Sequence, residues 1–263
     1  MISSGLEVTR GPALDVLAIA AHRDDVEQTC GGTLLKMAGR GARTGVLDLT
    51  QGELGSRGSA ESRATEAADA ARILQVAWRE ALDIPDGRVE NNYANRIKIA
   101  RVIREQRPRV VILPYWKGRH PDHYTCATLG YEACFLAGLR RLGHTAATQD
   151  IDSFEIHRVR NLDPHRPFKI VYATLYYDVR PTFVVDITAE FEAKLESIYA
   201  YKEQYADQPA GSKDFPAHAE IRERVVSMAH FYGMLAGVKY GEQFFQIEVG
   251  LVEDLRMVPV QSI

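Results

Sequence analysis

The stretch "DVLAIAAHRDDVEQTCGG", residues 15–32, joins a short apolar run to a turn rich in ionisable side chains and ends in two glycines. The apolar run, residues 15–21, is brief and stops abruptly at charged residues, which favours a strand buried on both faces over a helix. After the glycines, apolar residues recur with helical spacing in "GTLLKMAGRGA". The stretch therefore predicts a strand–turn–helix unit with unusually dense ionisable chemistry at its turn.

Strands and helices alternate after this unit. The alternation implies parallel strand pairing with right-handed crossovers, and hence an α/β fold with a doubly wound sheet. In such sheets ligands bind beyond the carboxyl ends of the strands, so we expect the loops beginning at His22, Gln51 and Trp116 to meet. The predicted elements are strands at 44–50, 81–84 and 109–115, and helices at about 63–76, 92–107 and 123–139.

The pattern is less regular beyond Leu142. We predict a long surface loop at 143–167, followed by two strands, "FKIVYATLY" and "TFVVDIT", with Pro181 in the turn between them. A helix at 189–205, a mobile segment at 206–218 and a last helix at 219–238 complete the prediction. Within the first of these helices, "YAYKEQY" has aromatic residues at helical spacing, which predicts packing against the sheet or a neighbouring subunit.

Length and composition indicate an ordinary globular protein. The 263 residues can form one large domain, and although length alone allows two smaller ones, we predict a single domain over residues 1–263. A charged fraction of 25% with a net charge of -3, and without a basic block, argues against a nucleic-acid partner. No apolar stretch approaches the roughly 20 residues of a membrane span, and the first residues lack a secretory pattern, so we expect a cytoplasmic location without membrane partners.

The cysteines carry no recognisable site. Cys30, Cys126 and Cys134 are three in number and lack CxxC spacing, which argues against a disulfide framework and against a zinc ribbon. We interpret them as reduced packing residues.

Two histidine-containing pairs follow strands that the fold should bring together. His22 and Asp25 are three residues apart, as are His120 and His123, so each pair offers two groups on one side of a turn. Either pair alone is more typical of a solvated turn or a helix cap. Two histidine nitrogens and one carboxylate oxygen suit Zn²⁺, however, and three protein ligands leave a position open for water, as in catalytic zinc sites.

The carboxylates beside these pairs have two interpretations each. Asp24 and Asp25 cannot both face one metal from the same side of a regular backbone, so one can coordinate while the other faces the bound water as a general base. Asp24 can equally be the N-cap of the following helix. Asp122 can accept a hydrogen bond from a histidine and fix its tautomer, and Glu27 is expected to support the turn without reacting.

The motifs "AAHRDDVEQTCGGTL", "DLTQGELGSRGSAESRATEAADAARIL" and "VILPYWKGRHPDH" together resemble the LmbE/PIG-L family of zinc-dependent N-acetylglucosamine deacetylases. The similarity continues through "KLESIYAYKEQY" to "FYGMLAGVKYGEQF" and covers most of the chain. Arg23 replaces the proline of the family's usual AHPDD motif, at a position that needs no side-chain chemistry. The resemblance implies a Rossmann-like three-layer αβα sandwich with a mainly parallel sheet, and a homo-oligomer, either trimer or hexamer.

The resemblance also implies roles for the motif residues. His22, Asp25 and His123 correspond to the metal ligands, with one Zn²⁺ per chain, although Fe²⁺ in the cell stays open. Asp24 corresponds to the carboxylate that takes a proton from water. His120 corresponds to the histidine that stabilises the oxyanion or protonates the leaving amine, and we expect it to act as an imidazolium.

Three further residues are carried over from the family. Asp122 is expected to be the partner of His120. Arg63 corresponds to an arginine that binds the sugar or its aglycone, and Arg119 lies where it could meet a malate carboxylate; both can also be surface cations. The tyrosine that assists the oxyanion in some relatives has no position that we can assign here.

The expected reaction is hydrolysis of an N-acetyl group with release of acetate. Among subfamilies the chain most resembles the bacillithiol-pathway enzyme that deacetylates N-acetylglucosaminyl malate. A mycothiol-type inositol conjugate or a chitooligosaccharide is the alternative substrate. A nucleotide-binding Rossmann module is the alternative from another class, but acids stand here where a dinucleotide fold needs GxGxxG, and carboxylates would repel phosphate.

Overall fold

The computed structural model describes residues 11–55, 57–144, 152–175, 177–205 and 218–260. A seven-stranded sheet with the order β3-β2-β1-β4-β5-β7-β6 forms its centre. The strands are β1 (Val16–Ala20), β2 (Thr44–Asp48), β3 (Trp78–Ala81), β4 (Val110–Pro114), β5 (Lys169–Ala173), β6 (Phe183–Asp186) and β7 (Gly241–Phe245).

Helices cover both faces of the sheet, so the predicted three-layer α/β fold is confirmed. Helices α4, α5 and α6 pack on one face, and α1, α2, α3, α7 and α9 pack on the other. The helices are α1 (Asp25–Thr29), α2 (Gly31–Gly39), α3 (Ala60–Ile73), α4 (Tyr93–Gln106), α5 (Pro121–Ala137), α6 (Ser153–Arg160), α7 (Phe191–Tyr199), α8 (Lys202–Tyr205) and α9 (His218–Leu235), with a 3-10 turn at Leu255–Met257.

Strand β1 is buried on both faces, as its uniformly apolar sequence predicts. Leu17 and Ile19 point into the core beneath α4 and α5, whereas Val16, Ala18 and Ala20 point into the core beneath α1 and α2. The strand pairs in parallel with β2 on one side and with β4 on the other. The opening apolar run is therefore the centre of the sheet.

Two predictions for the first two thirds of the chain were wrong: the position of the third strand and the absence of a helix between residues 143 and 167. The third strand is Trp78–Ala81 and not 81–84, because its register with β2 places Arg79 and Glu80 in a half-buried edge strand that has no apolar signature. Helix α6 lies inside the predicted surface loop 143–167. It is held by the side chain of Asp152, which accepts the amide of Phe154 at its start, and by the buried Val159. Residues 145–151 of that prediction lie outside the described residues.

The carboxyl-terminal part differs further from the prediction. The helix predicted at 189–205 is broken into α7 and α8, and the segment predicted to be mobile falls, for residues 206–217, outside the described residues. Strand β7 was missed, because Glu242 and Gln243 interrupt its apolar pattern although both are buried. It lies antiparallel between β5 and β6. These two strands are therefore not adjacent in the sheet, although a simple turn at Pro181 would have made them neighbours.

Within the described ranges, no helix has both the length and the apolar character that a membrane crossing requires.

Candidate active site

The ionisable turn after β1 lies at the point where the strand order changes direction. Successive crossovers lead from β1 to β2 and β3 on one side, whereas β4 pairs with the other side of β1. Loops on the two sides of this point diverge and leave a crevice at the carboxyl ends of the strands. The loops after β1, β2, β3 and β4 all contribute residues to this crevice, which confirms that the predicted loops meet.

Three donor side chains converge on one point of the crevice. Nδ1 of His22 lies 3.1 Å from Nε2 of His123. The carboxylate of Asp25 completes the triangle, with Oδ2 at 3.4 Å from His22 Nδ1 and Oδ1 at 3.1 Å from His123 Nε2. Tetrahedral ligands about 2.0–2.2 Å from a zinc ion are roughly 3.3–3.6 Å from one another. The three sides of 3.1–3.4 Å are close to this range, and two imidazoles with a carboxylate are a donor set that could bind a metal ion.

Local structure orients each of these donors. Asp25 is the first residue of α1, and its Oδ2 accepts the backbone N–H of His22 at 3.0 Å, which folds the turn onto itself. His123 lies in the first turn of α5, where Pro121 occupies an early position that requires no N–H donor. Both donors are therefore set at helix starts, directly above the strand ends.

The far nitrogen of His22 faces two further carboxylates. Nε2 lies 3.1 Å from Oδ1 of Asp86 and 3.4 Å from Oδ2 of Asp122. Backbone amides hold both acids in turn: Asp122 accepts from Gly87 at 2.8 Å, and Asp86 accepts from Leu54 at 3.0 Å. A carboxylate on the far nitrogen of a histidine ligand fixes its tautomer and ring orientation.

This arrangement corrects one expectation and adds a residue. The carboxylate of Asp122 is the partner of His22 and not of His120, because the loop after β3 draws it toward the amides of Gly87 and Val89. Asp86 was missed by the sequence analysis. Its signal was "DIPDG" directly after a strand, but the predicted strand extended too far to place this loop at the sheet edge.

The carboxylates around His22 and His123 stabilise positive charge at this point. Burial by itself lowers the pKa of His22, but hydrogen bonds to Asp122, Asp25 and Asp86 outweigh it and raise the pKa to about 12. For His123, burial also lowers the pKa, and the neighbouring charge of Asp25 raises it above its usual value. A bound divalent cation supplies this positive charge and leaves both imidazoles neutral.

His120 stands beside this cluster at the N-cap of α5. Its ring centroid is 4.7 Å from that of His22 and 4.9 Å from that of His123. Its Nδ1 accepts the backbone N–H of Asp122 at 3.2 Å, which places the ring proton on Nε2 in a neutral imidazole. Burial and the charges of the two neighbouring histidines lower the pKa of His120. The geometry thus favours a neutral N–H donor over the expected imidazolium.

Asp24 takes the N-cap position of α1 but makes no capping hydrogen bond with its side chain. Its Oδ2 accepts the hydroxyl of Tyr205 at 2.8 Å instead. The negative charge of Asp24 contributes to the raised pKa of His123. Asp24 is therefore the N-cap residue by position, but its carboxylate binds Tyr205 and none of the backbone amides of the helix.

The two predicted substrate-binding arginines lie in different surroundings. Arg63 is buried, and its guanidinium fits against the loop after β2 so closely that a Cβ at Gly52 or Gly55 would collide with it. Its buried Nε has no hydrogen-bond partner among the described residues. Arg119 is exposed and directly precedes His120, outside the cluster.

Buried charges behind the site hold the turn after β1. Arg79, from β3, donates to Glu27 at 2.6 Å, to Asp48 at 2.8 Å and to the carbonyl oxygen of Arg23. Arg23 itself is buried and donates to the carbonyl oxygen of Ala60 at 2.6 Å, so this position does carry a side-chain contact. The turn is therefore anchored from β3 and from the start of α3.

A small cavity of about 30 Å³ adjoins Asp25 and His123. Asp25 and His123 line one side of it, and the rest is formed by strand ends and α1, including Ala20, Val26 and Pro114. Its walls are mostly apolar.

Comparison with known proteins identifies the family to which the chain belongs. Residues 17–134 match the family model described as PIG-L, GlcNAc-PI de-N-acetylase. Diacetylchitobiose deacetylase of Thermococcus kodakarensis is 30% identical over 86% of this chain and 80% of its own length. Among solved structures, the conserved protein TT1542 from Thermus thermophilus superposes with a TM-score of 0.76 at 34% identity, covering 91% of this chain and 98% of that one. N,N'-diacetylchitobiose deacetylase from Pyrococcus horikoshii superposes with a TM-score of 0.72 at 25% identity, covering 87% of this chain and 82% of that one. The chain belongs to the PIG-L/LmbE family of deacetylases, whose activity is removal of N-acetyl groups from N-acetylglucosamine-type substrates.

Proposed function

We propose that the protein is a zinc-dependent deacetylase of a small N-acetylglucosaminyl conjugate, formed by a single domain over residues 1–263. The observation that carries the proposal is the triangle of donors from His22, Asp25 and His123, with sides of 3.1–3.4 Å. A carboxylate and a histidine that are not part of the triangle stand beside it. This is the composition of a hydrolytic metal site.

His22, Asp25 and His123 would hold the metal ion. When bound there, zinc polarises the acetamide carbonyl and lowers the pKa of a coordinated water toward about 7. The same donors accept Fe²⁺, so metal analysis of the purified protein decides between the two ions. Asp86 and Asp122 orient His22 so that Nδ1 keeps its lone pair free for the ion.

Asp24 serves as the general base. One of its oxygens, Oδ2, is occupied by Tyr205, which leaves the second oxygen to accept a proton from the attacking water. The proton then passes from Asp24 to the nitrogen of the leaving amine as the C–N bond breaks. Acetate and the free amine are the products.

His120 serves as the donor to the oxyanion. Because Nδ1 accepts a backbone amide, the Nε2–H bond remains to face the negative charge that develops on the carbonyl oxygen. A neutral imidazole can donate this hydrogen bond without adding a positive charge to a site that would also hold a metal ion. Protonation of the leaving amine is therefore assigned to Asp24.

For the substrate we favour a short chitooligosaccharide such as diacetylchitobiose, because the Thermococcus kodakarensis relative acts on diacetylchitobiose. N-acetylglucosaminyl malate is the second candidate. Arg119, exposed beside His120, offers a cation to a malate carboxylate. Arg63, buried against the loop after β2, is proposed to contact the sugar or its aglycone in either case.

The experiment that tests the proposal is acetate release from three substrates by the zinc-loaded protein: diacetylchitobiose, N-acetylglucosaminyl malate and the inositol conjugate. We expect the highest kcat/KM with diacetylchitobiose. A preference for the malate conjugate that is lost in Arg119→Ala would favour the second candidate. Absence of acetate release from all three would contradict the deacetylase assignment for these conjugates.

The protein is further proposed to be a homo-oligomer, either trimer or hexamer. Support comes from apolar side chains near the carboxyl terminus that the chain leaves open, with Val249 98%, Leu251 93% and Leu255 86% exposed. Such exposure is unusual unless another surface covers it. Sedimentation equilibrium of the full chain tests this, and a species of monomer mass at micromolar concentration would contradict it.

A further inference from the structure

The break between α7 and α8 directs two tyrosines toward the turn after β1. Helix α7 ends at Tyr199, and α8 starts at Lys202. Tyr201 and Tyr205 are one helical turn apart, since the N–H of Tyr205 donates to the carbonyl oxygen of Tyr201 at 3.1 Å. Two tyrosines of "YAYKEQY" therefore contact the turn after β1, in addition to the packing that the sequence predicts.

The two hydroxyls contact consecutive residues of the turn. Tyr201 is buried, and its hydroxyl donates to the carbonyl oxygen of Arg23. Tyr205 donates to Oδ2 of Asp24 at 2.8 Å. Gln28 approaches the same oxygen at 3.4 Å. Among the described residues, the hydrogen bonds to this carboxylate thus converge on a single oxygen.

Helix α8 is itself held in place from the side of α3. Ser62 donates to Glu203 at 2.6 Å, and the backbone N–H of Glu203 donates to Glu66 at 3.1 Å. Gln204 donates to the carbonyl oxygen of Arg57 at 3.1 Å. These contacts fix the helix that carries Tyr205, so its hydroxyl is presented to Asp24 by a rigid support.

We propose that Tyr205 is a positioning residue for the general base. Its hydroxyl binds Oδ2 of Asp24 and thereby turns Oδ1 toward the water that attacks the substrate. The inference rests on the proposed function, in which Asp24 takes the proton. Tyr205 would contribute to the rate through the orientation of this carboxylate, without touching the substrate or the metal.

The test replaces the hydroxyl alone. In Tyr205→Phe we expect kcat to fall roughly 10- to 100-fold, as for a lost hydrogen bond to a charged group, with KM within about twofold of the wild type. Zinc content and melting temperature should match the wild type. Tyr199→Phe is the matched control, because it removes a hydroxyl from the same segment where the side chain packs against the core cluster of Phe191 and Leu195, and it should keep full activity. An unchanged or higher kcat in Tyr205→Phe would overturn the proposal.

A double variant separates action through Asp24 from a direct contact with substrate. Adding Tyr205→Phe to Asp24→Asn should cost less than about twofold in rate, because the carboxylate that Tyr205 orients is already gone. A further loss of about tenfold would show that Tyr205 acts elsewhere and would reject the positioning role. If Asp24→Asn alone had the wild-type rate, the general-base assignment would fail and the positioning role would fail with it, whereas a loss in Asp24→Asn with full activity in Tyr205→Phe would reject the positioning role alone.

Discussion

Nδ1 of His22 and Nε2 of His123 lie 3.1 Å apart, although 101 residues separate them in the chain. Two nitrogens that each offer a lone pair repel one another at this distance unless a cation or a shared proton lies between them. The oxygens of Asp25 complete the same small triangle. The fold therefore brings together the three donors that we propose to hold a metal ion.

Removal of the metal should abolish activity and destabilise the fold. Dialysis against a chelator leaves His22, His123 and three carboxylates in close contact without their cation, and a ligand at 100 times its Kd contributes about 2.7 kcal/mol of stability. We expect a lower melting temperature by calorimetry and recovery of acetate release with about one Zn²⁺ per chain. Full activity of a metal-free preparation would contradict the ligand assignment.

Asp24→Asn should keep the metal and lose the base. The amide is nearly isosteric and cannot take a proton from water, so kcat should fall roughly 10²- to 10⁴-fold. Metal content by mass spectrometry and acetate release are the paired measurements. Near-normal turnover would mean that another group accepts the proton.

His120→Ala should likewise retain zinc, since this side chain lies outside the ligand triangle. Loss of one oxyanion donor typically costs roughly 10²- to 10³-fold in kcat. His120→Gln, which keeps an N–H donor in place of the neutral imidazole, should recover part of that loss. If His120→Ala lost its zinc, His120 would be a ligand and not an oxyanion donor.

Asp86→Asn should weaken metal binding. The acid holds Nε2 of His22 at 3.1 Å, and the loss of such a partner typically lowers metal affinity roughly 10- to 100-fold. Asp83→Asn is the matched control from the same loop, because Asp83 pairs with Lys98 at the surface. Competition with a fluorescent chelator measures the zinc affinity of each variant. Equal affinities of Asp86→Asn and Asp83→Asn would contradict a role of Asp86 in metal binding.

The cavity beside Asp25 and His123 should restrict the acyl group. The cavity is small and Ala20 and Val26 line it, so we expect an acyl chain longer than acetyl to press on these two side chains. We expect kcat/KM for an N-butyryl sugar to be lower than for the N-acetyl sugar by roughly tenfold or more. A Val26→Ala variant should narrow this gap, whereas equal rates in the wild type would place the acyl group elsewhere.

Local patterns account for most of the central sheet and for where the site lies. The apolar runs that became β1, β2 and β4 are continuous because strands in a parallel sheet are buried on both faces. The edge strand β3 was predicted at the wrong residues and the strand β7 was missed, since half-buried Arg79 and the buried Glu242 and Gln243 are held by specific partners that no local pattern reveals.

The same division holds inside the crevice. Residue order was enough to place His22, Asp25 and His123 after neighbouring strand ends, because parallel strands bring their carboxyl ends to one edge. The folded chain was needed to show that Asp122 and Asp86 contact His22, that Nδ1 of His120 accepts a backbone N–H and that Tyr205 contacts Asp24. Those contacts depend on which backbone amides and side chains meet across separate helices, strands and loops. Packing of the whole chain sets the geometry of such hydrogen bonds, and the spacing of residues in the sequence does not encode it.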